Sequence, residues 1–508
     1  MMQPRVLIAS SAVLAVVLLG GGGAAWVWAQ RVADARLDAA LAQFRTQLPP
    51  GSELTYRQAT GLPLGHGARL KDVTLREGGG IFTASTLEAL GVSAPDAGTK
   101  APPRFDHLIA YDGRLKAPSL EVMFKRLAVD QLQTPMQDES LEELIFGHGE
   151  LSELSIKPAG VLADFAIKAA SIDNFGVGKT SRLDIADFVF HGYATPARQI
   201  TFAHLAVDGQ DIASRVNGGL GARLPPHEGD SGLRLDDLKL DGEADGVPGK
   251  MQAFLSLKRL VEHARTNGLK SNARVTVDHL LIWPSAPHFE ILKELGYSSL
   301  DASIAANVLI DSRARTANVK NFDLTAPGAG RLTISEDLSE MDMPSVLDLG
   351  GAGVTGAKVN RLDIGWRDEG LVNRAITRSA VAQGVDPDAY LSALKRSLAP
   401  AGAEPDSMGA QLAQYLQSPD KGTLRISLAP PQPLPLIAVI AALPMALSSG
   451  GSSELVQSMG LMVHAPTGSG KGEKAPDATM GGDGDAADAT DEVPPDALSA
   501  PSKAAPRP

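Results

Sequence analysis

Residues 233–242 read Leu-Arg-Leu-Asp-Asp-Leu-Lys-Leu-Asp-Gly. Two apolar-x-apolar pairs stand either side of two carboxylates. Side chains along a strand alternate between faces with period two. Leu233 and Leu235 therefore share one face, and in an uninterrupted strand Leu238 and Leu240 would take the other. Two structures reconcile the phase. A bulge between the pairs can return both to one face, or the strand can bend and hand its apolar side to a second layer. Either gives a curved, strongly twisted sheet, whose apolar side lines a concavity or meets a second layer as an ordinary β-sandwich core.

The unit recurs with irregular spacing as Leu183, Ile185, Phe188 and Phe190; as Ile200, Phe202, Leu205 and Val207; and as Val275, Val277, Leu280 and Ile282. Related runs lie at Leu70 to Leu75, Val319 to Leu324 and Val359 to Ile364. From about 51 to 366 the chain thus reads as short strands between Gly, Pro and Asp turns. The 52 glycines, 34 prolines and 5% aromatics of the 508-residue chain favour such broken-up structure over long helices. The expected fold is mainly β with a helical segment, in a curved, antiparallel, elongated body.

Beyond that body the period changes. Residues 371–418 carry a helical pattern, with Asp386 as N-cap, Pro387 in the first turn, and Asp406 or Ser407 capping a further helix. A strand is expected over Leu424 to Leu428. The apolar stretch Leu434 to Leu447 holds Pro435 and Pro444. It is too short and broken to span a bilayer and reads as a buried or interfacial helix.

At the other end, Val6 to Ala29 contains no charged residue and closes on Trp26 and Trp28. As a helix it is long enough to cross a hydrocarbon layer of about 30 Å, with the tryptophans at the interface. A cleaved signal peptide is the competing reading. Retention gives residues 1–29 as a cytoplasmic stub and transmembrane anchor, and residues 30–50 as an amphipathic stalk helix with Leu37, Leu41, Phe44 and Leu48 on one face. Residues 51–464 form the exported body, and residues 465–508, poor in apolar side chains, a disordered tail.

The formal net charge of -12 and the lack of a basic stripe argue against a nucleic-acid partner. With no cysteine, disulfides, thiolate metal sites and cysteine nucleophiles are excluded. Ala465 to Gly472 resembles a phosphate-binding loop, but Gly472 stands where a Ser or Thr hydroxyl is required. Asp241, Glu243, Asp245 and Gly246 open like a calcium loop, but Gln252 occupies the position of the bidentate glutamate. Asp138, Glu139, Glu142 and Glu143 suit the start of a short helix. The ten histidines form no His-x-x-x-His pair, and those at 191, 204 and 279 fall in or beside repeat strands as surface residues. No catalytic, cofactor-binding or metal-binding set emerges.

Several features together resemble the AsmA-like and YdgA-like group of bacterial envelope proteins. They are the N-terminal anchor with its amphipathic helix, Gly61-Leu62-Pro63-Leu64, the strand unit at 233–242, Leu295-Gly296-Tyr297, Ala326 to Gly330, and the proline-flanked apolar segment. The resemblance implies an inner-membrane, single-pass protein with a β-rich periplasmic body. It implies handling of lipid acyl chains in an apolar groove, or alternatively a non-enzymatic scaffold or assembly factor binding an envelope protein. The helices of 371–418 and the acidic tail depart from the group.

Overall fold

The computed structural model describes residues 33–35, 37–38, 41–42, 51–62, 67–77, 79–91, 104–133, 143–160, 163–192, 197–218, 228–243, 250–341, 356–448 and 459–466. The expected anchor (6–29), the acidic cluster at 138–142, most of the calcium-like loop and all of the expected tail (465–508) but Ala465 and Pro466 lie outside them. Among the described residues no helix is long and apolar enough to cross a membrane.

The body is one twenty-stranded antiparallel sheet, curved and unclosed. Strands β1 (Glu53–Thr55) and β2 (Gln58–Leu62) lie along successive parts of β3 (Gly67–Glu77). The chain then runs as a meander, each strand pairing with the one before it. It passes through β4 (Gly80–Leu90), β5 (Arg104–Ala117), β6 (Leu120–Gln133), β7 (Phe146–Pro158), β8 (Ala163–Phe175), β9 (Ser181–Gly192) and β10 (Ala197–Gln210). It continues through β11 (Gly229–Glu243), β12 (Met251–Asn267), β13 (Lys270–Ile282), β14 (Leu300–Asp311), β15 (Thr316–Ala326), β16 (Gly330–Ser339) and β17 (Lys358–Asp368). Strands β18 (Thr423–Leu428) and β19 (Leu434–Pro435) share the far side of β17, and β20 (Leu461–His464) pairs with β18.

The strands are longer than the sequence pattern suggests, reaching 15 residues in β11, which carries the repeat unit. The reason lies at the centre of the repeat unit. Asp72, Asp112, Glu153, Asp187, Asp237 and His279 all have φ between 49° and 56°, and they fall in β3, β5, β7, β9, β11 and β13. One left-handed residue interrupts the alternation without ending the strand, so two short apolar pairs become one long element. Aspartate, at four of the six positions, tolerates this conformation better than most residues. The burial pattern shows the effect. In β3, Leu70, Val73 and Leu75 are all buried in one cluster while Asp72 is exposed. In β13, Val277 and Ile282 are buried while Asp278 and His279 are exposed. Of the two structures the phase allowed, these strands adopt the first, with both pairs on one face.

Four helices carry the C-terminal insert and its neighbour: α3 (Leu371–Ala382), α4 (Pro387–Leu398), α5 (Met408–Tyr415) and α6 (Leu436–Ser448); α1 (Ile212–Gly218) and α2 (Ile291–Glu294) are shorter. The buried Asp368, at the end of β17, starts α3 by accepting the Gly370 and Val372 N–H groups at 2.9 Å. Asp386 caps α4 through the Asp388 and Ala389 N–H groups at 2.9 and 3.2 Å, with Pro387 at the first turn. Ser407, not Asp406, caps α5. Helix α6 begins directly after Pro435 and runs through Pro444.

The two ends of the sheet are sealed. At the first, Leu37 and Leu41 of the helical residues within 33–42 join Leu54, Leu70, Val73, Leu75 and Phe105 in one core. Gly61 permits the approach, since a Cβ there would lie 2.6 Å from the Ala33 carbonyl carbon, and its N–H donates to Asp34 Oδ1 at 2.7 Å. This stretch is packed on the sheet at Leu37 and Leu41 instead of standing off as a free stalk. At the other end α5 and α6 pack with β17, β18 and β20, burying Met408, Tyr415, Leu428, Val439 and Val463.

Candidate functional site

Directly opposed residues of neighbouring antiparallel strands point to the same face. The register therefore allows one row of side chains to be followed across the sheet. From β3 to β10 it runs Leu70, Leu87, Ala110, Leu127, Leu151, Ala170, Ile185 and Leu205. From β11 to β18 it runs Leu235, Leu260, Val277, Ile304, Leu324, Leu332, Trp366 and Leu424. All sixteen positions are apolar. At about 4.8 Å per strand the row extends for roughly 70 Å.

A second row, beyond the left-handed residues, runs from Leu75 and Phe82 through Ile156, Phe165, Phe190 and Ile200 to Leu255, Ile282 and Leu300, again without a polar member. Between the two rows stand Ile167, Phe188 and Phe202. The rings of Phe188 and Phe202 stack at 4.6 Å.

Coverage of this face is uneven. Near the first end Leu70 and Leu87 are 2% and 7% exposed, and near the last Leu424 is 7% exposed. In the middle the situation differs. Among the described residues between Leu132 and Phe254, the one buried apolar side chain is Ala213 of α1. Leu151, Ala170, Ile185, Leu205 and Leu235 are all half-buried. Their flanks are packed by neighbours in the sheet, while no described element closes over them.

Three carboxyls stand on the apolar side. Glu262 lies directly between Leu233 and Val275, in phase with Leu260. Glu336 lies between Val319 and Leu362, and Glu77 follows Val73 and Leu75 at the end of β3. Burial pushes all three carboxyls up from the usual range; at Glu262 the charge of Arg215 works in the opposite direction. Glu77 Oε2 has no hydrogen-bond partner.

The opposite face is polar and paired. His107, Asp130, His148, Asp173 and Arg182 form one cross-strand row; His204, Asp236, Arg259 and Asp278 form another. Three left-handed residues also find cations, Asp72 with Arg57 at 2.6 Å, Asp187 with Lys168 at 3.0 Å, and Asp112 with Lys125. Burial pulls the His148 ring down in pKa, but its bonds to Asp173 and Glu150 outweigh this and leave it raised. Arg126, with a smaller contribution from His148, holds the Glu150 carboxyl low.

The histidines at 191, 204 and 279 stand on this face as surface residues, each beside a carboxylate. His279 lies 3.2 Å from Asp301, and the nearby Ser303 hydroxyl accepts from the His279 main chain, not from its ring. The paired histidines are 36–57% exposed, so these are solvated ion pairs on an open surface. Asp241 and Glu243 belong to β11, where Glu243 pairs with Arg198 at 2.7 Å. Ala465 is buried and donates its N–H to Gln411 at 2.8 Å. Among the described residues no cluster of potential metal ligands occurs.

Sequence reading found the apolar pairs but not the buried glutamates. The signal was present: in β12 the apolar phase runs Leu255 and Leu257, then Leu260, Glu262 and Ala264, so Glu262 takes a core position.

A protein-family model described as "Uncharacterized protein" matches residues 323–466, from within β15 to just past β20. No curated protein matches the chain.

Proposed function

We propose that this protein binds lipid acyl chains along its apolar face and conveys them, held near their source by an N-terminal membrane anchor with the body in the periplasm. The single observation that carries this reading is the unbroken sixteen-residue apolar row, half-buried and uncovered by described elements at its centre. A globular core would bury such a row; an apolar surface this extensive in one molecule calls for a guest. Each buried methylene contributes about 0.8 kcal/mol. A chain of some fifteen methylenes therefore gains on the order of 10 kcal/mol before the cost of immobilising it. Because the attraction is non-directional, one row position is as good as the next, which suits sliding along the sheet. The resemblance to AsmA-like proteins points the same way.

The test is to purify the full chain in mild detergent and identify what it carries by mass spectrometry. The expected result is co-purifying lipid that diminishes when Leu205 and Leu235 are both replaced by arginine. Finding no bound lipid in the unaltered protein removes the proposal.

A scaffold role for an envelope protein partner is favoured by a different observation. Val381 and Val385, at the end of α3 and in the turn that follows, are 71% and 43% exposed. In-cell crosslinking from these positions recovers a protein under this reading and none under the first.

A further inference from the structure

Glu262 is the one ionisable residue in its own row. That row crosses the sheet from Ala68 and Ala89 through Leu183, Val207 and Leu233 to Val275, Phe322 and Ile426. The side chain is 8% exposed and makes no hydrogen bond among the described residues. A leucine at this position would simply continue the row, so fold stability does not account for a carboxylate here.

The surroundings are specific. Helix α1 follows β10 and carries Arg215, whose positive charge acts on Glu262. The helix is fixed in place. Asp211 accepts from the Ser214 N–H at 2.8 Å, from the Ser214 hydroxyl at 2.6 Å, and from the Gly178 N–H at 2.7 Å. The same helix holds Asn217, whose buried Nδ2 has no acceptor, and Val216, 64% exposed. Beyond Glu262 the same phase of β12 holds only Ala264 and Thr266, facing Ser231 and Gly229, so Glu262 sits toward one long margin of the sheet and not along its midline. Glu336 lies toward the same margin four strands away, between Val319 and Leu362, likewise without a hydrogen bond among the described residues.

From this arrangement we infer that Glu262 and Arg215 form a head-group station for a zwitterionic lipid, the carboxylate taking an ammonium and the guanidinium a phosphodiester, while the acyl chains lie across the apolar rows. The inference rests on the lipid-binding reading and adds the class of lipid. Two groups of opposite sign at one margin complement a head group that carries both signs. An anionic head group that lacks the ammonium leaves the carboxylate unmatched, and the desolvated like charge then works against it. Glu336 supplies a second contact for an ammonium farther along the same margin.

The experiment incubates the detergent-purified full chain with vesicles of phosphatidylethanolamine and phosphatidylglycerol in equal amounts. The protein is then re-isolated and the bound lipids quantified. The unaltered protein is expected to hold phosphatidylethanolamine in roughly 5- to 10-fold excess, the size of one charge-assisted contact. Glu262→Leu is expected to bring the excess down to about onefold through loss of bound phosphatidylethanolamine, with a melting temperature no lower than that of the unaltered protein. Arg215→Gln should lower the bound amount of both lipids without abolishing the excess, because both head groups carry the phosphodiester. Bound lipid without head-group preference, or a preference that survives Glu262→Leu, overturns the station and leaves acyl-chain binding standing. No bound lipid of either kind overturns both.

Discussion

At the residue scale the decisive feature is the left-handed position within each odd strand from β3 to β13. Its type is legible in sequence only as a polar gap between apolar pairs, because φ is not encoded in hydrophobic period. Asp237 is exposed at φ 54°. Asp237→Val is expected to cost about 1–2 kcal/mol, since a β-branched side chain resists this conformation. Asp237→Gly should stay within about 0.5 kcal/mol, because glycine adopts it without a steric penalty. Urea unfolding midpoints distinguish the two. A pH effect belongs to the outer face. With its pKa raised by Asp173 and Glu150, His148 contributes stability that is complete below its ordinary value of about 6.5 and fades as pH rises through the raised one. Solvent screening keeps this below about 1 kcal/mol. The unaltered protein should therefore lose a little stability as pH rises from below 6.5 to above the raised value, a loss that His148→Asn does not show. Equal losses in both proteins would assign the effect elsewhere.

At the element scale, the helices after β17 were readable because their caps are local chemistry: Asp386-Pro387 and Ser407 mark helix starts within three residues of chain. The docking of the N-terminal helical residues was not readable. A face carrying Leu37 and Leu41 fits a stalk, a partner or the sheet equally well until Gly61 and Asp34 are seen to meet. Leu41 is fully buried, so Leu41→Ala should cost about 2–5 kcal/mol. Hydrogen exchange on the full chain should place the loss in β1 to β4, leaving β14 to β17 protected, because among the described residues the core clusters at the two ends share no member. Helix α6 divides into two sides. Val439 and Ala442 are buried, whereas Ile437 and Ile440 are 58% and 63% exposed. Replacing both isoleucines with serine should leave the melting temperature unchanged, and Val439→Asp should lower it markedly, since it buries an unpaired charge.

At the scale of the whole molecule, the apolar rows depend on register across sixteen strands, a property no window of sequence contains. The repeat unit announces that each strand has an apolar face; only pairing Leu151 with Ala170, Ile185 and Leu205 shows that the faces abut in a line. If lipid travels along that line, charges at its midpoint should stop passage while leaving both ends able to load. Leu205→Arg with Leu235→Arg is expected to reduce transfer of a fluorescent lipid between vesicles severalfold while a smaller share of bound lipid is lost. Loss of transfer only in proportion to bound lipid would argue for carriage without sliding. The strictly sequential pairing has a further consequence for how such a molecule changes size. Excising β8 and β9 would bring β7 against β10, setting Leu151 beside Leu205 and Ile156 beside Ile200 with strand direction preserved. Reach is thereby adjustable in increments of about 10 Å, one hairpin at a time, like sections of a ladder. Evolution can lengthen or shorten this sheet without redesigning either sealed end.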